Sequence, residues 1–194
     1  MKKEQKATSI MIVGVGGQGT LLASKLLGAV VRRSGCDVKV SEVHGMSQRG
    51  GSVVTYVRYG NTVASPVIEL GEADCILAFE ELEAARYLPY LKRDGLMIVN
   101  TRQIDPMPVI LGAAKAPEQI AGKLRAHPVN LETLDALAMA ESAGSAKAVN
   151  LVLMGQFARH TEFTRQEWED AIRDTVPKKF LEMNLKAFHS SYLG

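Results

Sequence analysis

Cysteine is scarce in this 194-residue sequence, which contains only Cys36 and Cys75 and no C-x-x-C motif. Disulfide frameworks, structural zinc sites and iron–sulfur ligand sets all need more cysteines, or cysteines at paired spacing. The four histidines are scattered, without the spacing of metal ligands. We therefore expect this chain alone to hold no metal ion and no cluster.

Long apolar runs are missing as well. The first residues, MKKEQKATSIMIVGVGG, place a basic segment before an apolar one, as a secretory signal would. However, Glu4 interrupts the basic segment, and glycines end the apolar run Ile10–Val13 after four residues. Neither a signal core nor a membrane span fits this pattern, so we expect a cytoplasmic protein without a membrane partner.

Neither sign of charge dominates, because 23 Lys and Arg stand against 21 Asp and Glu, for a net charge of +2. No segment combines clustered basic residues with aromatic ones, which argues against nucleic-acid binding. Hydrophobic residues make up 46% of the chain, and there is no Ser/Gly-rich linker or internal repeat. We expect residues 1–194 to form one domain with a sizeable core.

The first part of the chain has the pattern of a strand, a loop, a helix and a second strand. Ser9–Val13 is a short apolar run beside glycines, which is typical of a buried parallel strand. Apolar residues recur at helical spacing over Thr20–Arg33, and Gly35 ends that helix. Asp37–Val43 alternates as the second strand. Further strands are predicted at Ser52–Tyr59, Asp74–Phe79, Gly95–Val99 and, at an edge, within Asp105–Ala116.

A turn and a helical C-terminal region complete the predicted architecture. Gly60 and Asn61 indicate a turn that leads into a returning strand, and thus a β-hairpin. Thr164 and Glu167 form a capping box at the start of one helix. Helices are predicted at Glu80–Leu91, Pro117–Ala126, Glu132–Ala143, Ala146–His160, Arg165–Thr175 and Lys179–Tyr192. The pattern predicts an α/β fold: a Rossmann-like three-layer domain with a mostly parallel sheet, a β-hairpin insertion and a helical C-terminal region.

The glycine loop GVGGQG follows the first strand and precedes the first helix. Gly14, Gly16 and Gly19 satisfy G-x-G-x-x-G, which lets a phosphate approach the N–H groups at the helix N-terminus. The same glycines are also explained by close helix–strand packing alone. A P-loop is excluded, because Thr20 stands where lysine is required. A nicotinamide site would need an acidic residue at the end of the second strand, and Glu42 is the candidate.

A second unusual loop lies within GMSQRGGSVV. Gly50 and Gly51 admit another surface at close range, and Arg49 offers a planar fork of donors for a carboxylate or phosphate. Gln48 adds a neutral donor and acceptor, and Met46 adds an adaptable apolar contact. If the second strand runs parallel to the first, both loops lie at the sheet edge where α/β proteins bind ligands. The alternative is a strand-entry turn in which Arg49 caps backbone carbonyls.

Several polar residues end strands at the same predicted edge. Glu81 and Glu83 are explained by the favourable position of carboxylates in the first turn of a helix. Asn150 and Gly155 are interpreted as helix-packing positions. The secondary candidates for the site are Glu42, His44, Met46, Glu80, Asn100 and Thr101.

Four motifs in order give the sequence a family resemblance. IVGVGGQG, HGMSQRGGSV, ADCILAFEELEAARYLPYL and AVNLVLMGQFA are together similar to the gamma-type domain of 2-oxoacid:ferredoxin oxidoreductases. The forms EVHGMSQRGGSVV and FEELEAARYL most resemble the small (beta) subunits of the indolepyruvate-specific members. The similarity extends from about Ile10 to the C-terminus.

The resemblance implies a subunit that is not active alone. In that family, thiamine diphosphate with Mg²⁺ on a large partner subunit decarboxylates the 2-oxoacid, iron–sulfur clusters on the partner pass electrons to ferredoxin, and coenzyme A accepts the acyl group. The resemblance therefore implies that this chain binds no cofactor by itself and carries no catalytic residue. The motif positions expected to face the partner or a ligand are Gly14, Gly16, Gly17, Gln18, Gly19, Ser47, Gln48, Arg49, Gly50 and Gly51.

Two other functions are compatible with the same residues. A stand-alone Rossmann-type NAD(P) or flavin oxidoreductase would use the glycine loop and Glu42. A non-catalytic interaction module would differ from the subunit only in that its loops do not touch substrate.

Overall fold

The computed structural model describes residues 7–45 and 51–194. Its centre is a six-stranded sheet with strand order β2-β3-β1-β4-β5-β6. The strands are β1 (Thr8–Val15), β2 (Asp37–His44), β3 (Ser52–Gly60), β4 (Ala73–Ala78), β5 (Leu91–Asn100) and β6 (Asn130–Leu134). The helices are α1 (Thr20–Arg33), α2 (Glu81–Tyr87), α3 (Met107–Ile110), α4 (Ile120–Arg125), α5 (Ala136–Ala143), α6 (Val149–Ala158), α7 (Arg165–Thr175) and α8 (Leu181–Tyr192).

The sheet is mostly parallel. β1, β4, β5 and β6 pair in parallel, whereas β3 pairs antiparallel with both β1 and β2. Two successive antiparallel pairings restore the original direction, so β2 points the same way as β1 although the two strands do not touch. Five strands therefore end at one edge of the sheet, and β3 begins there.

Helices cover both faces of the central strands, which makes the fold three-layered. Alternate β1 residues enter different cores: Ile10 and Ile12 pack with α1 and α5–α8, while Met11 and Val13 pack with α2 and α4. Because β1 is buried on both faces, its residues form a continuous apolar run. The predicted α/β three-layer class is confirmed.

The C-terminal helices pack closely at a glycine. Gly155 on α6 lies against α8, and a Cβ built at Gly155 would be 2.2 Å from the Phe188 carbonyl oxygen. The Ser191 hydroxyl of α8 donates to the Val152 carbonyl of α6 at 2.5 Å. α7 starts with the predicted capping box, in which Thr164 and Glu167 each accept a backbone N–H of the other.

The predicted hairpin is wrong in its position. Residues 61–72 form no strand, and the antiparallel partners β2 and β3 are instead joined through residues 45–51. Pro66 lacks an N–H for a ladder, and the Val63 N–H donates to the Asp37 side chain at 2.9 Å. This segment therefore caps the sheet end and buries Ile68 rather than extending the sheet.

Three other predictions about secondary structure are also wrong. The edge strand expected within residues 105–116 is replaced by the short helix α3, because Pro106 and Pro108 cannot donate to a ladder. The edge strand next to β5 is β6, where a helix from Glu132 was expected, because pairing with β5 overrides the local helical pattern. The helix predicted to reach Leu91 stops at Tyr87, shortly before Pro89.

Within the described ranges, no helix combines the length and the apolar character that crossing a lipid bilayer requires.

Candidate functional site

The sheet edge at which five strands end gathers the chemically distinctive segments. The glycine loop follows β1, and residues 45–51 connect β2 to β3 at the same edge. Glu80 follows β4, and Thr101 follows β5. β2 points the same way as β1, as the sequence analysis required. The strand ends from which the two motif loops start therefore lie at the same sheet edge. Met46, Ser47, Gln48, Arg49 and Gly50 lie outside the described residues.

The glycine loop contacts the end of the second loop directly. The Gly16 N–H donates to the Gly51 carbonyl at 2.9 Å. Next to this bond, Val15 and Ser52 are paired partners in the β1–β3 ladder. Gly16 and Gly51 are therefore in direct contact, at the described ends of the two loops.

Glycine is required at the positions of the first loop for different physical reasons. A Cβ at Gly14 would lie 2.8 Å from Gln18 Oε1 and 2.9 Å from Phe79 Cβ, so close packing excludes a side chain. Gly19 has φ of 90° and faces Asn150, whose Nδ2 would be 2.8 Å from a Cβ. Gly17 has φ of 98°, and no described atom lies within 4 Å of its Cβ position. Close packing explains why Gly14 and Gly19 have no side chain, whereas at Gly17 only the positive φ favours glycine.

The side chain of Gln18 is hydrogen-bonded to the backbone at both ends of its amide. Its Oε1 accepts the Val15 N–H at 2.7 Å, and its Nε2 donates to the Phe79 carbonyl at 3.1 Å. Both ends of the side-chain amide are therefore bound to backbone. In this geometry Gln18 holds the loop to β1 and to the end of β4, rather than offering its amide to a ligand.

Among the described residues, no side chain caps the start of α1. Its N-cap residue is Gly19, so no cap side chain covers the first N–H groups, and the first turn has no acidic residue. N–H groups at a helix N-terminus attract negative charge because their partial positive charges are unsatisfied. The glycine loop with α1 is therefore chemically suited to a phosphate or carboxylate.

Glu42 and His44 lie on one side of the glycine loop. Both side chains are exposed on β2 and line a cavity of about 400 Å³. The lining residues are Gly16, Gly17, Gly19, Thr20, Leu21, Glu42, His44 and Val53. The structure thus brings Glu42 and His44 together with the glycine loop.

A second cavity of about 580 Å³ lies on the other side of the loop. It contains two cationic side chains, Arg102 and Lys147, beside Gly16–Gly19. Sequence reasoning missed both residues. Arg102 could have been found, because it stands two residues after the strand-ending Asn100. Lys147 comes from a distant helical segment, and no local signal connects it to this edge.

Asn100 and Thr101 are structural links between strands. Asn100 is fully buried; its Nδ2 donates to the Phe79 carbonyl at 3.1 Å, and its Oδ1 accepts the Ala136 N–H at 3.1 Å. The Thr101 N–H donates to the Leu134 carbonyl at 3.0 Å. These bonds join the ends of β4, β5 and β6 beneath the site.

Two carboxylates at the start of α2, Glu80 and Glu81, connect the surrounding segments. Glu80 is buried, and its two oxygens accept the Glu83 N–H at 2.8 Å and the Ile104 N–H at 3.1 Å. Glu81 accepts from Gln103 Nε2 at 2.9 Å. Burial raises the pKa of the Glu80 carboxyl, and the nearby Glu83 carboxylate adds to the rise, while the backbone N–H donors oppose it. Glu80 is thus the N-cap of α2 and an anchor for the segment after β5.

Among residues 7–45 and 51–194, no three His, Cys, Asp or Glu side chains are grouped as metal ligands would be. Around the glycine loop, this edge presents backbone N–H groups, the cations Arg102 and Lys147 and the exposed carboxylate of Glu42.

Comparison with known proteins shows the family. Residues 9–193 match the family described as pyruvate ferredoxin/flavodoxin oxidoreductase. The chain belongs to this family. It is 41% identical to the indolepyruvate oxidoreductase subunit IorB of Thermococcus kodakarensis, with 94% of this chain and 93% of the relative aligned. The subunit of the same name from Archaeoglobus fulgidus is 42% identical, over 95% of this chain and 93% of its own.

Solved structures of lower identity show the same fold. The gamma subunit of a keto/oxoacid ferredoxin oxidoreductase from Geobacter sulfurreducens aligns with a TM-score of 0.72 at 22% identity, covering 96% of each chain. A pyruvate oxidoreductase subunit of Thermotoga maritima aligns with a TM-score of 0.73 at 21% identity, covering 97% of each chain. The predicted resemblance to a gamma-type domain is confirmed, and it is favoured over a stand-alone NAD(P) or flavin oxidoreductase.

Proposed function

We propose that this chain is the small subunit of an indolepyruvate:ferredoxin oxidoreductase. The complex would convert an arylpyruvate and coenzyme A into acyl-CoA and CO₂, and pass the two electrons to ferredoxin. The observation that carries the proposal is the nearly full-length similarity, at 41% and 42% identity, to two archaeal indolepyruvate oxidoreductase subunits.

The redox and thiamine chemistry is assigned to a larger partner subunit. A [4Fe–4S] cluster is held by four cysteine thiolates, and this chain has two cysteines. Cys75 is buried in the sheet core, where burial raises the pKa of its thiol and disfavours the thiolate that a metal needs. The residues of this chain thus do not fit a cluster. The sequence also lacks a G-D-G followed by an Asn pair for thiamine diphosphate and Mg²⁺.

The sheet edge with the glycine loop is assigned to the interface with that partner, near the access route for coenzyme A or the 2-oxoacid. Both co-substrates are anions. The N-terminus of α1, which has no side-chain cap, and the cations Arg102 and Lys147 supply complementary charge around the loop. The exposed side of Gly17 leaves the backbone accessible to a large ligand.

Anaerobic co-purification from the native host tests this function. We expect the chain to be recovered with a large brown partner that contains iron and thiamine diphosphate, and to show no turnover by itself. Titration of the isolated chain with NADH and NADPH should give no binding. A colourless homo-oligomer that binds either nucleotide would refute the subunit assignment and favour the stand-alone oxidoreductase.

Arg49→Ala in the assembled complex tests the role of the second loop. A charge-assisted hydrogen bond contributes about 1.5–3 kcal/mol, so we expect roughly ten- to hundred-fold weaker binding of the partner, the 2-oxoacid or coenzyme A. Arg93→Ala is the matched control, because Arg93 is exposed near the start of β5, at the opposite sheet edge. Unchanged assembly and unchanged affinities in Arg49→Ala would rule out this role for the loop.

A further inference from the structure

Glu83 is a buried carboxylate with a specific partner across the fold. It lies in the first turn of α2 with 3% of its surface exposed. One carboxylate oxygen accepts the Ser52 hydroxyl, and the other accepts Arg86 Nε at 3.1 Å. The Tyr87 hydroxyl is 3.4 Å from Ser52 Oγ. The favourable position of an acid in a first helical turn does not explain burial, because a buried carboxylate is costly unless it is hydrogen-bonded.

Ser52 leads directly to the glycine loop. It is the first residue of β3 and is paired with Val15 at the end of β1. The carbonyl of the preceding residue, Gly51, accepts the Gly16 N–H at 2.9 Å. A short path therefore connects the Glu83 carboxylate, the Ser52 hydroxyl, the Gly51 carbonyl and the Gly16 N–H. It consists of two hydrogen bonds and one peptide unit.

This path links the outer turn of the loop to β3, while the Gln18 N–H closes the same turn by donating to the Val15 carbonyl at 3.2 Å. Gln18 fixes the loop to the Val15 N–H and to the Phe79 carbonyl. The turn through Gly16 and Gly17, which lies between Val15 and Gln18, approaches β3 at the Gly51 carbonyl. Gly17 has a positive φ and no Cβ, so its own conformation restricts the backbone little. The position of this turn consequently depends on how firmly Gly51 and Ser52 are held.

We propose that Glu83 is a positioning residue for the glycine loop, acting through Ser52 and Gly51 on the Gly16 N–H. The carboxylate holds the start of β3 in place, and the start of β3 holds the outer turn of the loop at the cavity that Glu42 and His44 line. What the loop binds rests on the proposed function, in which an anionic co-substrate reaches this edge.

Amide hydrogen exchange on the full chain tests the path by itself. In Ser52→Ala we expect the Gly16 amide, followed by NMR, to exchange about ten-fold faster, because one charge-assisted bond is lost. The β1 and β4 core amides should keep their rates. Glu83→Gln should have the same local effect, and Ser52→Thr, which keeps the hydroxyl, should restore slow exchange.

Thr164→Ala is the matched control. It removes the remote capping box and costs about 1 kcal/mol of global stability without touching this edge. It should therefore leave the Gly16 rate unchanged relative to neighbouring core amides. An unaltered Gly16 rate in Ser52→Ala, or a rise that Thr164→Ala reproduces, would overturn the proposal.

The assembled complex provides the functional measurement. Ser52→Ala should raise the KM for coenzyme A about ten-fold while kcat stays within about two-fold, since the loop affects binding rather than the chemical step. A faster Gly16 exchange with an unchanged KM would support the positioning role of Glu83 and would refute the part of the proposed function that brings coenzyme A to this loop. If no complex forms with any variant or with the parent chain, the proposed function fails, and the exchange rates alone decide the role of Glu83.

Discussion

Gly155→Ala is expected to lower the free energy of unfolding by about 3 kcal/mol, at the upper end of the usual cost of overpacking. The added Cβ would lie 2.2 Å from the Phe188 carbonyl oxygen and 2.3 Å from Ser191 Oγ. The carbonyl is backbone of α8, so relief requires the two helices to separate. Separation would also weaken the bond from Ser191 to the Val152 carbonyl. Urea denaturation of the isolated chain, followed by circular dichroism, measures the change.

Gly28→Ala is the matched control for this prediction. Gly28 lies inside α1, and no described atom is within 4 Å of its Cβ position. Alanine is favoured over glycine in a helix interior by about 1 kcal/mol, so Gly28→Ala should stabilise the chain. The same propensity gain applies at Gly155, where the clash outweighs it. Equal stabilisation by both substitutions would contradict the close packing of α6 against α8.

Local signals in the sequence predict the elements whose ends are locally encoded. α7 has the predicted bounds Arg165–Thr175, because the Thr164–Glu167 capping box marks its start without help from distant residues. α1 also has its predicted bounds, since the glycine loop precedes it and Gly35 takes a positive φ just beyond its end. In both cases the deciding contacts lie within a few residues along the chain.

Strand partners could not be predicted in the same way. The alternating pattern of Ser52–Tyr59 identifies a strand, but not which strand it pairs with. The structure places β3 between β1 and β2, and its partners in the β1 ladder are 37 to 51 positions away in the sequence. Glu132 is in a strand because β5 offers it a free edge, although its local sequence favours a helix. Pairing of this kind is decided by the assembled sheet.

The candidate site also combines features that the local sequence identifies with contacts that only the folded structure reveals. The G-x-G-x-x-G spacing identifies the glycine loop, and the strand directions bring Glu42 and His44 to it. Glu83 lies in the first turn of α2 as the sequence predicts, but the helix-terminus rule gives no sign of its partner Ser52, which is 31 residues away. A residue with an adequate local explanation can still have a long-range role.

Gly19→Ala is expected to disrupt both stability and the glycine loop. Two costs combine, because Gly19 has φ of 90° and its Cβ would lie 2.8 Å from Asn150 Nδ2. A strained backbone conformation costs about 1–3 kcal/mol, and displacement of the buried Asn150 amide adds to it. We expect a loss of about 3 kcal/mol in unfolding free energy and, in the complex, weaker binding of coenzyme A. Denaturation of the chain and equilibrium binding to the complex measure the two effects.

Gly17→Ala separates the two costs. Gly17 has φ of 98°, close to that of Gly19, but no described atom lies within 4 Å of its Cβ position. Gly17→Ala should therefore show the backbone cost alone, and Gly19→Ala should be the more destabilising. Combining Gly19→Ala with Asn150→Gly removes the collision, so the double variant should lose less than the sum of the single losses. Strict additivity, or equal losses at Gly17 and Gly19, would mean that Asn150 does not restrict the loop. Glycine would then be needed at position 19 only because of its positive φ.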